Sequence, residues 1–168
     1  PLEREAIRAA RGVDVAQAEL MRLAAEFYAI HRERSDGTVF AHHADTQGVF
    51  DIAHLLYGDD IFYDIADRDE QGWAEELMDI CRGLYVDATA HLKGLLGEDA
   101  SSMIHGHGGP QGIYYPGAGA RMAEDTATLL SPATIERFVI PAIQEAAEPF
   151  GGPSCTSAGG TKRSSRRC

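Results

Sequence analysis

The chain has 168 residues, 44% hydrophobic and 24% charged, with 26 acidic against 15 basic side chains and a formal net charge of −11. This length and apolar content suit one globular domain with a real core, and the charge excludes nucleic acid as a partner because phosphates would be repelled. No run of about eighteen apolar residues and no signal-peptide pattern is present, so no membrane partner and a cytoplasmic location are expected.

In chain order, residues 2–11 are predicted as a short helix closed by Gly12. A second helix starts with Asp14 as N-cap and carries Leu20, Leu23, Phe27 and Ile30 at helical spacing. Ser35-Asp36-Gly37 makes a turn, and 38–45 is predicted as a buried strand. Gly48 opens a helix over 49–57, and Gly58-Asp59-Asp60 caps the next short one. The longest helix is expected over 69–96, with Trp73, Leu77, Ile80, Leu84, Ala88, His91 and Leu95 as one stripe and Gly97 as its stop. A second strand over 101–105 precedes a glycine-rich loop over 106–119. The last helix has Ser131 as N-cap and Pro132 at its first position, and Pro141 should kink it. Strands separated by long helices imply parallel pairing. The expected fold is therefore α/β: a helix-rich fragment of an incomplete TIM (β/α)8 barrel, since a whole barrel takes roughly 250 residues.

Polar groups concentrate where the two predicted strands end. Alternation along the first places His43 and Asp45 on one face and His42 on the other, so His43, Asp45, Gln47 and Gly48 would meet a substrate at a barrel rim. Alternatively, one histidine is a hydrogen-bonded core residue and Asp45 caps the next helix. After the second strand, His105-Gly106-His107 offers either two ligands on one face or a glycine-lined approach for an extended ligand. With no third ligand at defined spacing, His105 and His107 are assigned to substrate contact and no metal site is assigned. Tyr114 either lines the pocket or packs the loop. Glu124 and Asp125 precede a capped helix, whose dipole favours anions, and this arrangement alone explains them as well as a site does. Three cysteines, Cys81, Cys155 and Cys168, are too few and scattered for a disulfide framework or a spaced zinc site.

Two segments carry a family likeness. One begins Gly119-Ala-Arg-Met-Ala-Glu-Asp-Thr, continues through Ser131-Pro132 to Phe138-Val-Ile-Pro141 and ends in Phe150-Gly151-Gly152; the other is Asp45-Thr-Gln-Gly48-Val-Phe-Asp-Ile-Ala-His54-Leu-Leu-Tyr-Gly58. Together, over about residues 36–152, they resemble the uroporphyrinogen decarboxylase superfamily. The resemblance implies a TIM barrel whose mouth holds a tetrapyrrole, as in the lyases of porphyrin biosynthesis, or a corrinoid in the methyltransferase branch. It makes Asp125 a catalytic candidate beside His43 and Asp45. Asp125 stands where the decarboxylases carry Ser, and an Asp there is more typical of the methyltransferase-like branch. The decarboxylases' active-site Tyr falls on His54 or Leu55, which makes His54 a further candidate. Partners implied are a small tetrapyrrole or a corrinoid protein, and a homodimer is compatible with the pattern. The alternative is a catalytically dead remnant that only binds a ligand or a partner subunit.

The composition changes at Gly152. All 26 acidic residues precede it, whereas 153–168 hold four basic residues, Lys162, Arg163, Arg166 and Arg167, and no acidic one. The expected division is a barrel-derived domain over 1–152 and a non-native basic tail over 153–168, without a strand pattern around Cys155. Back-translated with GC-rich codons and read from the third base, the tail from Ser154 spells Leu-His-Phe-Cys-Gly followed by an amphipathic helical pattern. That is the His-x-Cys-Gly strand expected of the superfamily, so the tail reads as frame-shifted. The resemblance then implies no cofactor in this chain and zinc in an intact, frame-corrected protein.

Overall fold

The computed structural model describes residues 1–106 and 112–156. Seven α-helices dominate the described residues: α1 (Arg4–Ala9), α2 (Glu19–Arg34), α3 (Val49–Tyr57), α4 (Asp60–Asp64) and α5 (Gln71–Leu96), then, after three short strands, α6 (Pro132–Thr134), which leads into α7 (Ile140–Ala147). The strands are β1 (Ser102–His105), β2 (Ile113–Pro116), β3 (Ala120–Ala123) and β4 (Pro153–Thr156).

The long helix α5 is the spine. Its buried residues Trp73, Leu77, Ile80, Cys81 and Tyr85 meet Val49, Phe50 and Ala53 of α3 and Ile143, Ala146 and Ala147 of α7 in one apolar cluster. The predicted α5 stripe holds for Trp73, Leu77 and Ile80. Farther along, burial passes to Tyr85, Thr89 and Leu92, while Leu84 and Ala88 of the predicted stripe line a cavity beside the turn at Val15–Gln17. Gly97 ends α5 in the left-handed region at φ 72°, where a side chain would be strained. Asp14 caps a short 3-10 turn, Val15–Gln17, rather than α2 itself.

No barrel forms among the described residues. They contain two two-stranded sheets: β1 with β2, antiparallel, and β3 with β4, parallel. The barrel expectation fails for identifiable reasons. The segment 38–45 runs without a strand, and beyond it Gln47 meets Ala123 of β3 in an isolated parallel bridge rather than a ladder. The glycine-rich stretch folds back as β2, so β1 is occupied by a hairpin and not by a parallel neighbour. Ile113-Tyr-Tyr is a strand-forming run, and its glycine surroundings concealed it. Among the described residues one crossover unit is present, β3–α6–α7–β4, a parallel pair joined by helices.

That crossover absorbs Pro141 through a π-helical turn, Ile135–Val139, between α6 and α7. The proline lacks the N–H that would bond back to Arg137, and the widened turn makes room for its ring. At the other end β4 begins at Pro153, immediately beyond the compositional break, and aligns Cys155 with Met122. The absence of a strand around Cys155, expected from composition, is thus corrected: β3 offers an open edge and the chain after Gly152 takes it. Residues 157–168 lie outside the described ones, and no described helix is long and apolar enough to cross a membrane.

Candidate functional site

β3 is the centre of the site. Its four residues are all buried, with segment 46–47 on one side and β4 on the other. Ala123 of β3 makes main-chain hydrogen bonds with Thr46 and Gly48: its N–H donates to Thr46 O at 3.2 Å and the Gly48 N–H donates to its carbonyl at 2.7 Å. The two segments that carry the family likeness, far apart in sequence, therefore lie side by side.

Within this strand Arg121 is 1% exposed, and a guanidinium so deep must have its donors satisfied. Nε donates to His105 Nε2 at 3.2 Å, Nη1 donates to Thr46 O at 2.9 Å, and Nη2 pairs with Asp45 Oδ1 at 2.7 Å. Because His105 accepts at Nε2, its proton sits on Nδ1 and the ring is neutral. Tyr85 and Thr46 hydroxyls both donate to the Arg121 carbonyl, at 2.7 and 2.6 Å. Asp45, 52% exposed, carries this buried network to the surface.

Just past β3 two carboxylates tie two chain segments together. Glu124 accepts from the N–H groups of Phe50 (3.3 Å) and Asp51 (3.1 Å) in the first turn of α3. Asp51 in return accepts from the N–H groups of Asp125 (3.0 Å) and Thr126 (2.9 Å). Glu124 lies so close to Gly48 that a Cβ there would sit 2.2 Å from Oε1. Burial raises the Glu124 pKa to about 7, the Asp51 carboxylate pushes the same way, and the helix N–H groups oppose them.

The residues expected to form a site are only partly brought together. Asp45, Gln47, Gly48 and His105 gather around β3. His43 is buried nearby with Nδ1 2.8 Å from Ala44 O, and burial lowers its pKa. Asp125 is exposed, and neither it nor His43 lines the cavities beside α2, α5 and α7. His54 lies in the last turn of α3, at the far end from Gly48, and meets Asp59 at 2.9 Å and the Phe62 ring. Tyr114 is exposed on β2 and lines a separate cavity with His31 and Phe40. His107 lies outside the described residues. The glycines expected to admit an extended ligand instead admit the His42 ring: a Cβ at Gly106 would lie 2.1 Å from its Nδ1, and one at Gly112 2.9 Å from its Nε2.

Arg121 and Glu124 organise the site, yet the sequence assigned no role to Arg121 and left Glu124 explained equally well by the helix dipole. The available signal was Arg121 itself, the lone charge in the run 112–123. Beside the site a cavity of about 480 Å³ opens between Gln47, Thr46, Tyr85, Leu84, Ile52 and Met21, with a largely apolar lining. Among the described residues no cluster of His, Cys, Asp and Glu is arranged to hold a metal ion, so zinc has no fitted site there. No family model, curated protein or solved structure matches this chain.

Proposed function

We propose that the chain is part of an enzyme of the uroporphyrinogen decarboxylase superfamily, acting at the Asp45–Gly48 and Glu124–Asp125 edge on a corrinoid-linked or tetrapyrrole substrate. The reading rests on residues and not on a barrel. What supports it is the juxtaposition of the two resembling segments, the first against β3 and the second containing it. Asp45 and Gln47 are exposed at this edge and are assigned to substrate contact, with Asp125 as the solvent-facing acid. Arg121, His105, Glu124 and Gly48 are positioning groups, since each is buried and engaged within the protein.

Methyl transfer is preferred over decarboxylation of acetate arms. A substrate with eight carboxylates needs uncompensated positive charge, whereas the guanidinium at this edge is already paired with Asp45. The neighbouring apolar cavity favours a less charged group. The alternative, binding without turnover, draws on the same carboxylates: Glu124 and Asp51 are both engaged with backbone N–H groups.

The test titrates the protein with methylcobalamin and with uroporphyrin by absorbance, then assays demethylation with a small thiol and decarboxylation of uroporphyrinogen. Corrinoid binding weakened about tenfold by Asp45→Ala or Gln47→Ala, with thiol-dependent demethylation, is expected. Decarboxylation would select the other branch, and binding without turnover the remnant. Failure to bind either compound would sink the proposal.

A further inference from the structure

We propose that the outer face of α2 docks an amphipathic helix whose apolar stripe is flanked by lysines or arginines. Leu20, Leu23, Phe27 and Ile30 are between 49% and 76% exposed, although their spacing is that of a core-facing stripe. The helix has two faces to satisfy: Tyr28 is buried on the body side and Met21 is half-buried there, while the stripe points away with nothing of this chain over it among the described residues. Positions 20, 23, 27 and 30 follow the three–four alternation of a coiled-coil seam, which an opposing helix fills.

Charge identifies the occupant. Glu19, Glu26 and Glu33 recur every seven residues along one flank of the stripe. None of the three is in an ion pair among the described residues. A flank of this kind sets partner choice by opposite charge across the seam. A second copy of the chain meets that requirement poorly. Packed antiparallel, it would face its own glutamate row; packed parallel, it would offer Ala24 and His31 to the glutamates. A helix with a cationic flank neutralises the row and covers the stripe in the same contact.

The probe is a three-heptad peptide with Leu at the seam and Lys at both flanks, labelled for fluorescence anisotropy, with a Glu-flanked peptide as control. The Lys-flanked peptide should bind and the control should not. Phe27→Asn should weaken binding about tenfold, and Glu19→Gln/Glu26→Gln/Glu33→Gln should weaken it similarly while flattening its salt dependence. Circular dichroism of both variants checks that α2 persists. Should Phe27→Asn lose helicity, the triple variant decides alone. Unchanged binding by either folded variant would reduce the effect to general attraction by an acidic protein and overturn the proposal. Concentration-dependent dimerisation abolished by Phe27→Asn would assign the face to a second copy and overturn it equally.

Discussion

At the scale of single residues, the Glu124 carboxyl couples folding to pH. Its folded pKa, about 7, lies above the ordinary value of 4.5, so the folded protein binds its proton more tightly than the unfolded chain. The stability it contributes is full below about pH 4.5 and is lost as pH rises through 7, a change on the order of 3 kcal/mol. His43 acts in the opposite sense. Burial lowers its pKa from 6.5, so its contribution is present above 6.5 and is lost on acidification. Urea midpoints measured from pH 5 to 8 should fall less with rising pH in Glu124→Gln than in the parent, and His43→Gln should lose part of the acid-side decline. Equal slopes in Glu124→Gln and the parent would refute the Glu124 assignment. Little of this was readable from sequence. A Glu-Asp pair before a capped helix looks the same whether it faces water or the turn of another helix, and the outcome was opposite for its two members: Glu124 is buried and Asp125 exposed.

At the scale of elements, the junction of β3 with α3 depends on the missing side chain of Gly48. Gly48→Ala would drive a methyl group to 2.2 Å from Glu124 Oε1, and the Glu124 carboxyl cannot retreat without leaving the N–H groups of Phe50 and Asp51. A loss of about 1–3 kcal/mol is expected from overpacking and broken hydrogen bonds. In Gly48→Ala/Glu124→Ala the steric part should vanish, giving a double-mutant cycle with clear coupling; additive losses would contradict the contact. The ends of the last helix are a simpler case. Ser131 Oγ accepts from the Thr134 N–H at 3.2 Å, as its sequence signature indicated, and Ser131→Ala should cost about 1 kcal/mol in thermal unfolding. Helices were legible because capping, glycine stops and 3.6-residue spacing are local. Apart from β1, strands were not: Ala-Arg-Met-Ala has no alternation, and it is a strand with all four residues buried because distant segments pair with it on both sides.

At the scale of the whole molecule, stability is unevenly distributed. α5 contacts α3 and α7 through the main cluster, whereas the β1–β2 hairpin presents exposed Ile113 and Tyr114, and α2 exposes its apolar stripe. Native-state hydrogen exchange should therefore show greatest protection in the middle of α5, around Leu77–Tyr85, and least in β2 and the outer turns of α2. Uniform protection across these elements would contradict the packing described. The exposed apolar groups should also bind a hydrophobic dye such as anilinonaphthalene sulfonate in native buffer, in contrast to a protein whose surface carries only scattered apolar residues.

By itself the sequence determined where the main helices lie, the Gly97 stop and the Ser131 cap, the acidic composition, the strand at β1 and the placement of polar residues near Asp45–Gly48 and Glu124–Asp125. These follow from short-range chemistry: capping groups, glycine conformations and helical periodicity act within a few residues. Only the tertiary structure decided that no barrel forms among the described residues, that β2 folds back on β1, and that β4 takes the edge of β3. It alone put Arg121 against Asp45 and His105, and Glu124 beneath α3. Strand pairing and the burial of a charge depend on which distant segments arrive as neighbours, and that information is not carried by any local pattern.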